Sequence, residues 1–224
     1  MKPTAQSFQT IVPTPYFLPY WLFTPKGEKP ADGWPLLLYL HGSGLCGNDL
    51  QLTINSELPA LAGLRDDFPF LLVCPQCPQD TWWSDQLAGL DILLKQLCDQ
   101  YPVDQRRVLV TGSSMGGYGV WHLASMFPRR FAGVMPLCGG GAWFYGFPER
   151  ARLLKETPVW AFHGDHDAII PVREAAVLVE QVQRAGGQAH LEVIPGGHDI
   201  WRQVYQREDV WAWLSAQRRA EYFV

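Results

Sequence analysis

The sequence predicts an α/β fold in which a mostly parallel sheet is covered by helices on both faces. Short apolar runs alternate with helical stripes along the whole chain, as expected when strands are joined by crossover helices. The run 35–40 is continuously apolar, which is typical of a strand buried on both faces of a parallel sheet. With 224 residues, 47% hydrophobic and 18% charged, the chain is expected to form one domain, residues 1–224, with a sizeable core.

Seven segments are predicted as strands. The first is aromatic-rich and contains Pro19, which restricts it to a sheet edge. The strands are expected at 16–23, 35–40, 70–74, 108–110, 131–138, 158–163 and 190–194. Polar or glycine-rich clusters follow these runs, so they should meet at the sheet edge where ligands of such folds bind.

Helices are predicted between these strands from apolar residues at helical spacing. One stripe consists of Leu87, Leu90, Leu94 and Leu97, and another of Val172, Ala176, Val179 and Val182. The second helix should end near Gly186, because helices often end at glycine. A helix is also expected at 118–127, and a last helical region includes residues 201 and 211–214.

Charge and hydropathy exclude several partner classes. The net charge is −4, and no basic stripe supports binding to nucleic acid or an anionic membrane. No window approaches the roughly 18 apolar residues of a membrane span, and the first residues lack the apolar core of a secretory signal. We therefore expect a cytoplasmic protein; the sequence leaves its oligomeric state open.

The five cysteines are expected to be reduced thiols. Their number is odd, and a chain of this size needs no disulfides to fold. Cys74 and Cys77 match the C-x-x-C pattern, but Pro75 and Pro78 make that segment extended, and no second pair is present. The sequence therefore predicts neither a metal nor a cofactor.

The pattern Gly112-Ser113-Ser114-Met115-Gly116 predicts a nucleophile elbow. It lies between a short apolar strand and a helix, so Ser114 falls on a sharp turn. Glycines two residues to either side have no Cβ, which lets strand and helix approach closely. An ordinary glycine-rich connection is the alternative interpretation.

A serine hydroxyl needs a base to remove its proton, and His198 is the best candidate among six histidines. It follows the last strand in a Pro-Gly-Gly-His loop that lets the ring reach back. The imidazole in turn needs a carboxylate to fix its tautomer. Asp167 is the preferred residue and Asp165 the open alternative, since both follow the sixth strand. The order Ser114, Asp167, His198 is that of the α/β-hydrolases.

Two backbone N–H groups are predicted to form an oxyanion hole. Met115 lies at a helix N-terminus directly after the nucleophile. The second donor is expected from His41-Gly42-Ser43-Gly44, with Ser43 preferred over Gly44. A plain tight turn is the alternative interpretation of that segment.

Several motifs resemble small serine carboxylesterases related to the phospholipase/carboxylesterase and dienelactone-hydrolase-like families. They are 40–44, 112–119 with Trp121, 138–141, 163–167 and 197–198, and the similarity runs from about Tyr20 to the end. The resemblance implies an α/β-hydrolase fold, a Ser114-His198-Asp167 triad and ester hydrolysis through an acyl-enzyme. Dienelactone hydrolases carry a cysteine nucleophile, so their particular reaction is not implied. The short segments between elbow and acid leave no room for a large lid domain.

Tryptophans near the rim loops predict an apolar pocket for small, soluble carboxylic esters. They are Trp82, Trp83, Trp143 and Trp201, and the alternative is that several of them close the core. The same triad would also suit a peptidase or an acyl thioesterase. A protein of another class, a non-catalytic binding protein on a hydrolase scaffold, is the remaining hypothesis.

Overall fold

A computed structural model describes residues 16–141 and 146–221, and within these ranges seven strands form one sheet. The order across the sheet is β1-β3-β2-β4-β5-β6-β7. The strands are β1 Tyr20–Phe23, β2 Trp34–Leu40, β3 Leu71–Pro75, β4 Val103–Ser113, β5 Gly133–Leu137, β6 Val159–Gly164 and β7 Ala189–Ile194.

The pairing confirms the predicted architecture. β1 pairs antiparallel with β3 at one edge, and every other pair is parallel. The apolar run of β2 lies in the middle of the sheet and is buried almost throughout, as its continuous hydrophobicity predicts. The carboxyl ends of the six parallel strands therefore share one edge.

Helices cover both faces of this sheet. The helices are α1 Gln51–Ile54, α2 Glu57–Gly63, α3 Leu87–Gln100, α4 Met115–Met126, α5 Arg173–Arg184, α6 Trp201–Tyr205 and α7 Glu208–Ala216. Residues of α3, α4 and α5 pack with one face of the sheet in a first core cluster. Residues of α2, α6 and α7 pack with the other face in a second cluster. The fold is thus that of an α/β-hydrolase, and the described loops contain no large lid.

The structure differs from the predicted elements where a helix is short or where part of a strand is polar. Neither α1, which has only four residues, nor α2, whose third residue is Pro59, was predicted from the sequence. β4 begins at Val103, ahead of the predicted 108–110, because its first half includes Arg106 and Arg107 and reads as polar. The buried face of α5 is centred on Ala175, Leu178, Val179 and Val182.

No helix among the described residues has the length and apolar character needed to cross a membrane.

Candidate active site

Ser114 occupies the predicted strand-to-helix turn in a strained backbone conformation. β4 ends at Ser113, α4 begins at Met115, and Ser114 between them has φ 56° and ψ −119°. The flanking glycines make the turn sterically feasible, because a Cβ on Gly116 would lie 1.9 Å from the Leu40 carbonyl oxygen and one on Gly112 would lie 2.5 Å from it. The close approach of β2, β4 and α4 therefore holds the serine in a conformation that non-glycine residues avoid.

His198 joins this serine to a carboxylate. Its Nε2 lies 2.7 Å from the Ser114 hydroxyl, and its Nδ1 lies 2.8 Å from Asp167 Oδ2. The histidine side chain is 14% exposed, whereas that of Asp167 is fully buried. The three side chains, which come from the ends of β4, β6 and β7, thus form one hydrogen-bonded line with its open end at the serine.

Asp167 is held in its ionised form. Burial opposes ionisation, but His198 and the backbone N–H groups of Ile170 and Ile169 outweigh it, so the pKa of Asp167 lies below its ordinary value. Both N–H groups donate to Asp167 Oδ1 at 2.9 Å. The carboxylate is therefore oriented by the backbone before it accepts the hydrogen bond from His198.

Asp165 lies apart from this line. Its Oδ1 accepts a hydrogen bond from the Gly196 N–H at 2.9 Å and contacts His166 Nδ1 at 2.6 Å. The hydrogen bond from the Gly196 N–H, and to a smaller extent the contact with His166, hold the pKa of Asp165 below its ordinary value. Its contacts are those of a residue that braces the turn before His198.

Two further histidines support the site from the interior. His41 is 2% exposed; its Nδ1 donates to the Gly42 carbonyl at 2.7 Å, and its Nε2 accepts from the Cys77 N–H at 3.0 Å. Burial lowers the pKa of His41 to about 4, so the ring is neutral. His163 is fully buried and contacts the Ile170 carbonyl at 2.8 Å. Both brace loops that carry proposed site residues.

A pocket of about 670 Å³ opens at Ser114. Ser43 and Met115 line it together with Ser114, so the two predicted oxyanion donors border the same space. Met115 is the first residue of α4, and its N–H therefore has no acceptor within the helix. Trp82, which the sequence predicted, also lines the pocket. The lining residues that were not predicted are Ser84, Asp85, Tyr118, Ile169 and Ile170.

The four predicted substrate tryptophans have different locations. Trp82 lines the pocket and is 49% exposed. Assigning Trp83 to the pocket was wrong: it is fully buried, and its indole N–H donates to the His41 carbonyl at 2.9 Å. Trp201 does not line the pocket either; it begins α6 and packs against the second core cluster. Trp143 lies outside the described residues.

Cys138 follows β5 and lies beside the acid and the base. One ligand atom each from Cys138, Asp167 and His198 lie within 4.8 Å of one another, which is the spacing of a potential metal site. Burial raises the pKa of the Cys138 thiol to about 12, so the thiolate that a metal requires is costly. Asp167 and His198 are also hydrogen-bonded to each other, and the cluster therefore suits a triad with a neighbouring thiol better than a metal centre.

The C-x-x-C pair also lacks the features of a reactive site. Cys74 and Cys77 are both buried free thiols. Burial raises the pKa of Cys77 to about 12 and that of Cys74 well above its ordinary value. Neither thiol is predisposed to ionise.

Known proteins that are similar to this chain are esterases and related hydrolases. The model of the phospholipase/carboxylesterase family matches residues 75–211, which is more than half of the chain. A poly(3-hydroxyoctanoate) depolymerase from Pseudomonas fluorescens is 26% identical over 221 residues, covering 86% of this chain and 77% of the depolymerase. A bifunctional acetylxylan esterase/xylanase from Neocallimastix patriciarum is 28% identical over 66% of this chain, which spans 21% of that enzyme.

Solved structures show the same fold. A thermostable esterase superposes with a TM-score of 0.81 and 30% identity over 90% of this chain, which spans 60% of that protein. A structure described as a putative dienelactone hydrolase from Klebsiella pneumoniae superposes with a TM-score of 0.63 at 18% identity, a likeness of fold alone.

Proposed function

The chain belongs to the phospholipase/carboxylesterase family, which makes it a carboxylesterase-type hydrolase, and we propose that it cleaves small carboxylic esters through a Ser114 acyl-enzyme. The observation that carries the proposal is the line from Asp167 through His198 to the Ser114 hydroxyl, with contacts of 2.8 and 2.7 Å. A serine in such a line can be deprotonated as it attacks, which an isolated hydroxyl at neutral pH cannot.

The first half of the reaction forms the acyl-enzyme. Ser114 Oγ attacks the ester carbonyl carbon while His198 Nε2 takes the hydroxyl proton, and Asp167 stabilises the resulting imidazolium. The carbonyl oxygen becomes an oxyanion that accepts hydrogen bonds from the Met115 and Ser43 N–H groups. When the tetrahedral intermediate collapses, the bond to the leaving alcohol breaks and His198 returns the proton to that alcohol.

The second half releases the acid. A water molecule takes the place of the alcohol, His198 removes its proton, and the hydroxide attacks the acyl carbon. The second tetrahedral intermediate expels Ser114 Oγ, which recovers its proton from His198. The net reaction is ester plus water to carboxylic acid plus alcohol, and it needs no cofactor.

The pocket supports an apolar acyl group of modest size. Trp82, Ile169 and Ile170 contribute apolar surface around the serine, and no Lys or Arg is among the lining residues described. A neutral ester is therefore favoured over one that carries a second carboxylate or a phosphate. The relative that acts on poly(3-hydroxyoctanoate) adds medium-length hydroxyacyl esters to the substrates worth testing.

A substrate panel tests this proposal. p-Nitrophenyl acetate, butyrate and octanoate should be hydrolysed by the wild-type protein and not by Ser114→Ala, whereas aminoacyl-amide substrates should stay intact. Preferential cleavage of the amides would instead favour a peptidase. Complete inactivity of a folded wild-type protein on every acyl substrate would favour the binding-protein hypothesis.

A further inference from the structure

Glu57 combines backbone strain with a buried, unsatisfied carboxyl. It is the first residue of α2 and has φ 45°, a left-handed conformation that non-glycine residues seldom adopt. Its Oε2 is buried and has no hydrogen-bond partner among the described residues. Strain and an unsatisfied polar atom each cost free energy, and their coincidence in one residue calls for a functional explanation.

The carboxyl lies next to Gly42 and Ser113, which are close in sequence to the proposed oxyanion donors. A Cβ placed on Gly42 would lie 3.5 Å from Glu57 Oε1 and 3.6 Å from Ser114 Cβ, so all three are close neighbours. Gly42 directly precedes Ser43, and Ser113 directly precedes Ser114. Glu57 therefore faces the loop after β2 and the end of β4 at the same time.

Its surroundings favour the neutral form of the carboxyl. Burial raises the pKa of Glu57 to about 7, while the Ser113 hydroxyl and the Gly42 N–H oppose the rise and the Asp199 carboxylate adds to it. The Ser113 hydroxyl is close enough to lower the pKa of Glu57, but it makes no hydrogen bond of standard geometry. Tyr205, on α6, also interacts electrostatically with Glu57. Burial raises the pKa of the Tyr205 phenol well above its ordinary value, and Glu57 adds to this rise, so the phenol stays neutral.

We propose that Glu57 is a positioning residue for the oxyanion hole, and that its carboxyl holds the loop after β2 against the end of β4. The inference rests on the proposed function of Ser114. A neutral carboxyl fills the space beside Gly42 and Ser113 without adding charge. Once ionised, it would place a negative charge near a site that must stabilise another negative charge in the transition state.

The proposal makes the rate depend on the protonation state of Glu57. As pH rises through neutrality, Glu57 loses its proton and kcat should fall, while KM changes little because the pocket walls are unaffected. Glu57→Gln keeps the shape of a neutral carboxyl and cannot ionise, so this alkaline fall should disappear. Glu57→Ala leaves the loop unsupported, and kcat should drop about 10- to 100-fold at every pH.

The test compares the pH dependence of kcat for p-nitrophenyl butyrate in the wild type, Glu57→Gln, Glu57→Ala and Glu208→Gln. Glu208 is a matched control because it is also the first residue of a helix, α7, but is exposed and pairs with Arg65. Its variant should retain the wild-type profile. Superimposable profiles for wild type and Glu57→Gln, or a loss of thermal stability in Glu57→Ala with unchanged kcat, would overturn the proposal.

A second readout separates this proposal from the assignment of the activity itself. Infrared difference spectra between about pH 5.5 and about pH 8.5 should show a protonated carboxyl that titrates in wild type and is absent in Glu57→Gln. Absence of that band contradicts the Glu57 proposal even if esters are hydrolysed. A titrating band in a protein that neither hydrolyses esters nor reacts at Ser114 would contradict the proposed function instead, and with it the positioning role.

Discussion

His198 Nε2 lies 2.7 Å from the hydroxyl of Ser114, although the two residues are 84 positions apart in the chain. The sheet explains the meeting: Ser114 follows β4 and His198 follows β7, and both strands end at the same edge. Because the two side chains come from different loops, their contact depends on the whole arrangement of strands between them.

Removing the imidazole should abolish most of the activity. We expect His198→Ala to lower kcat by at least about 10³-fold, because no other side chain among the described residues is hydrogen-bonded to the Ser114 hydroxyl. His190→Ala is the matched control, since His190 is exposed on β7 and should leave kcat unchanged. Steady-state kinetics on p-nitrophenyl butyrate measure both. Equal effects of the two variants would exclude His198 as the base.

The two aspartates after β6 should differ sharply. Asp167→Asn disrupts the tautomer of His198 and should lower kcat by about 10³- to 10⁴-fold. Asp165→Asn removes a charge whose side-chain contacts are with the Gly196 N–H and His166, away from His198, and should change kcat by no more than a few-fold. Kinetics of the two variants, with circular dichroism to verify folding, test the assignment. The reverse ranking would transfer the acid role to Asp165.

The adjacent tryptophans should separate pocket from core. Trp82→Ala removes a pocket wall and should raise KM with little change in the free energy of unfolding. Trp83→Ala leaves a cavity under the loop after β2 and should cost about 3–5 kcal/mol of that free energy. Urea denaturation and KM measured on the same samples give both quantities. A destabilised Trp82→Ala with unchanged KM would remove Trp82 from the pocket.

Gly116 should tolerate no side chain. Gly116→Ala would put a Cβ 1.9 Å from the Leu40 carbonyl oxygen, so β2 and α4 must separate and the oxyanion hole must distort. We expect a loss of about 1–3 kcal/mol in unfolding free energy and a severe loss of kcat. Gly63→Ala is the control: it is also a helical glycine, and its nearest neighbour would be a Phe23 ring carbon at 4.0 Å. Comparable effects at both glycines would contradict the steric explanation.

Glu57 should make the folded protein less stable as pH rises. Its pKa lies near 7 in the folded protein against an ordinary value of 4.5, so its stabilising contribution is complete below 4.5 and is lost as pH rises to about 7. That shift corresponds to about 3 kcal/mol. Glu57→Gln should flatten this part of the curve of unfolding free energy against pH, and Glu208→Gln should not. An unchanged slope in Glu57→Gln would show that Glu57 ionises normally.

The sequence was sufficient for the order of the strands along the chain and for the positions of Ser114, Asp167 and His198 at the carboxyl edge of the sheet. Continuous apolar runs such as 35–40 mark buried strands, and polar residues directly after them must converge when the strands are parallel. Ser114 was recognisable because the glycines around it have a steric purpose that the structure bears out at Gly112 and Gly116. At Ser114, the local glycine pattern and the strand order of the sheet lead to the same position for the serine.

The features that could not be predicted from the sequence depend on where individual side chains point. Trp82 and Trp83 are neighbours, yet one lines the pocket and the other is fully buried, because the chain turns into a 3-10 helix between them. Glu57 gave no signal at all, since its role depends on contacts with Gly42 and Ser113 that only the folded chain creates. Ile169 and Ile170 reach the pocket because the turn after β6 is held by Asp167.

The central claim is that Ser114 is the nucleophile, and covalent trapping tests it most directly. After incubation with a fluorophosphonate, mass spectrometry should find a single adduct on the peptide that contains Ser114. The adduct should be absent in Ser114→Ala and should form far more slowly in His198→Ala. A hydrolytically active protein that carries no adduct at Ser114, or carries it on another residue, would contradict the account.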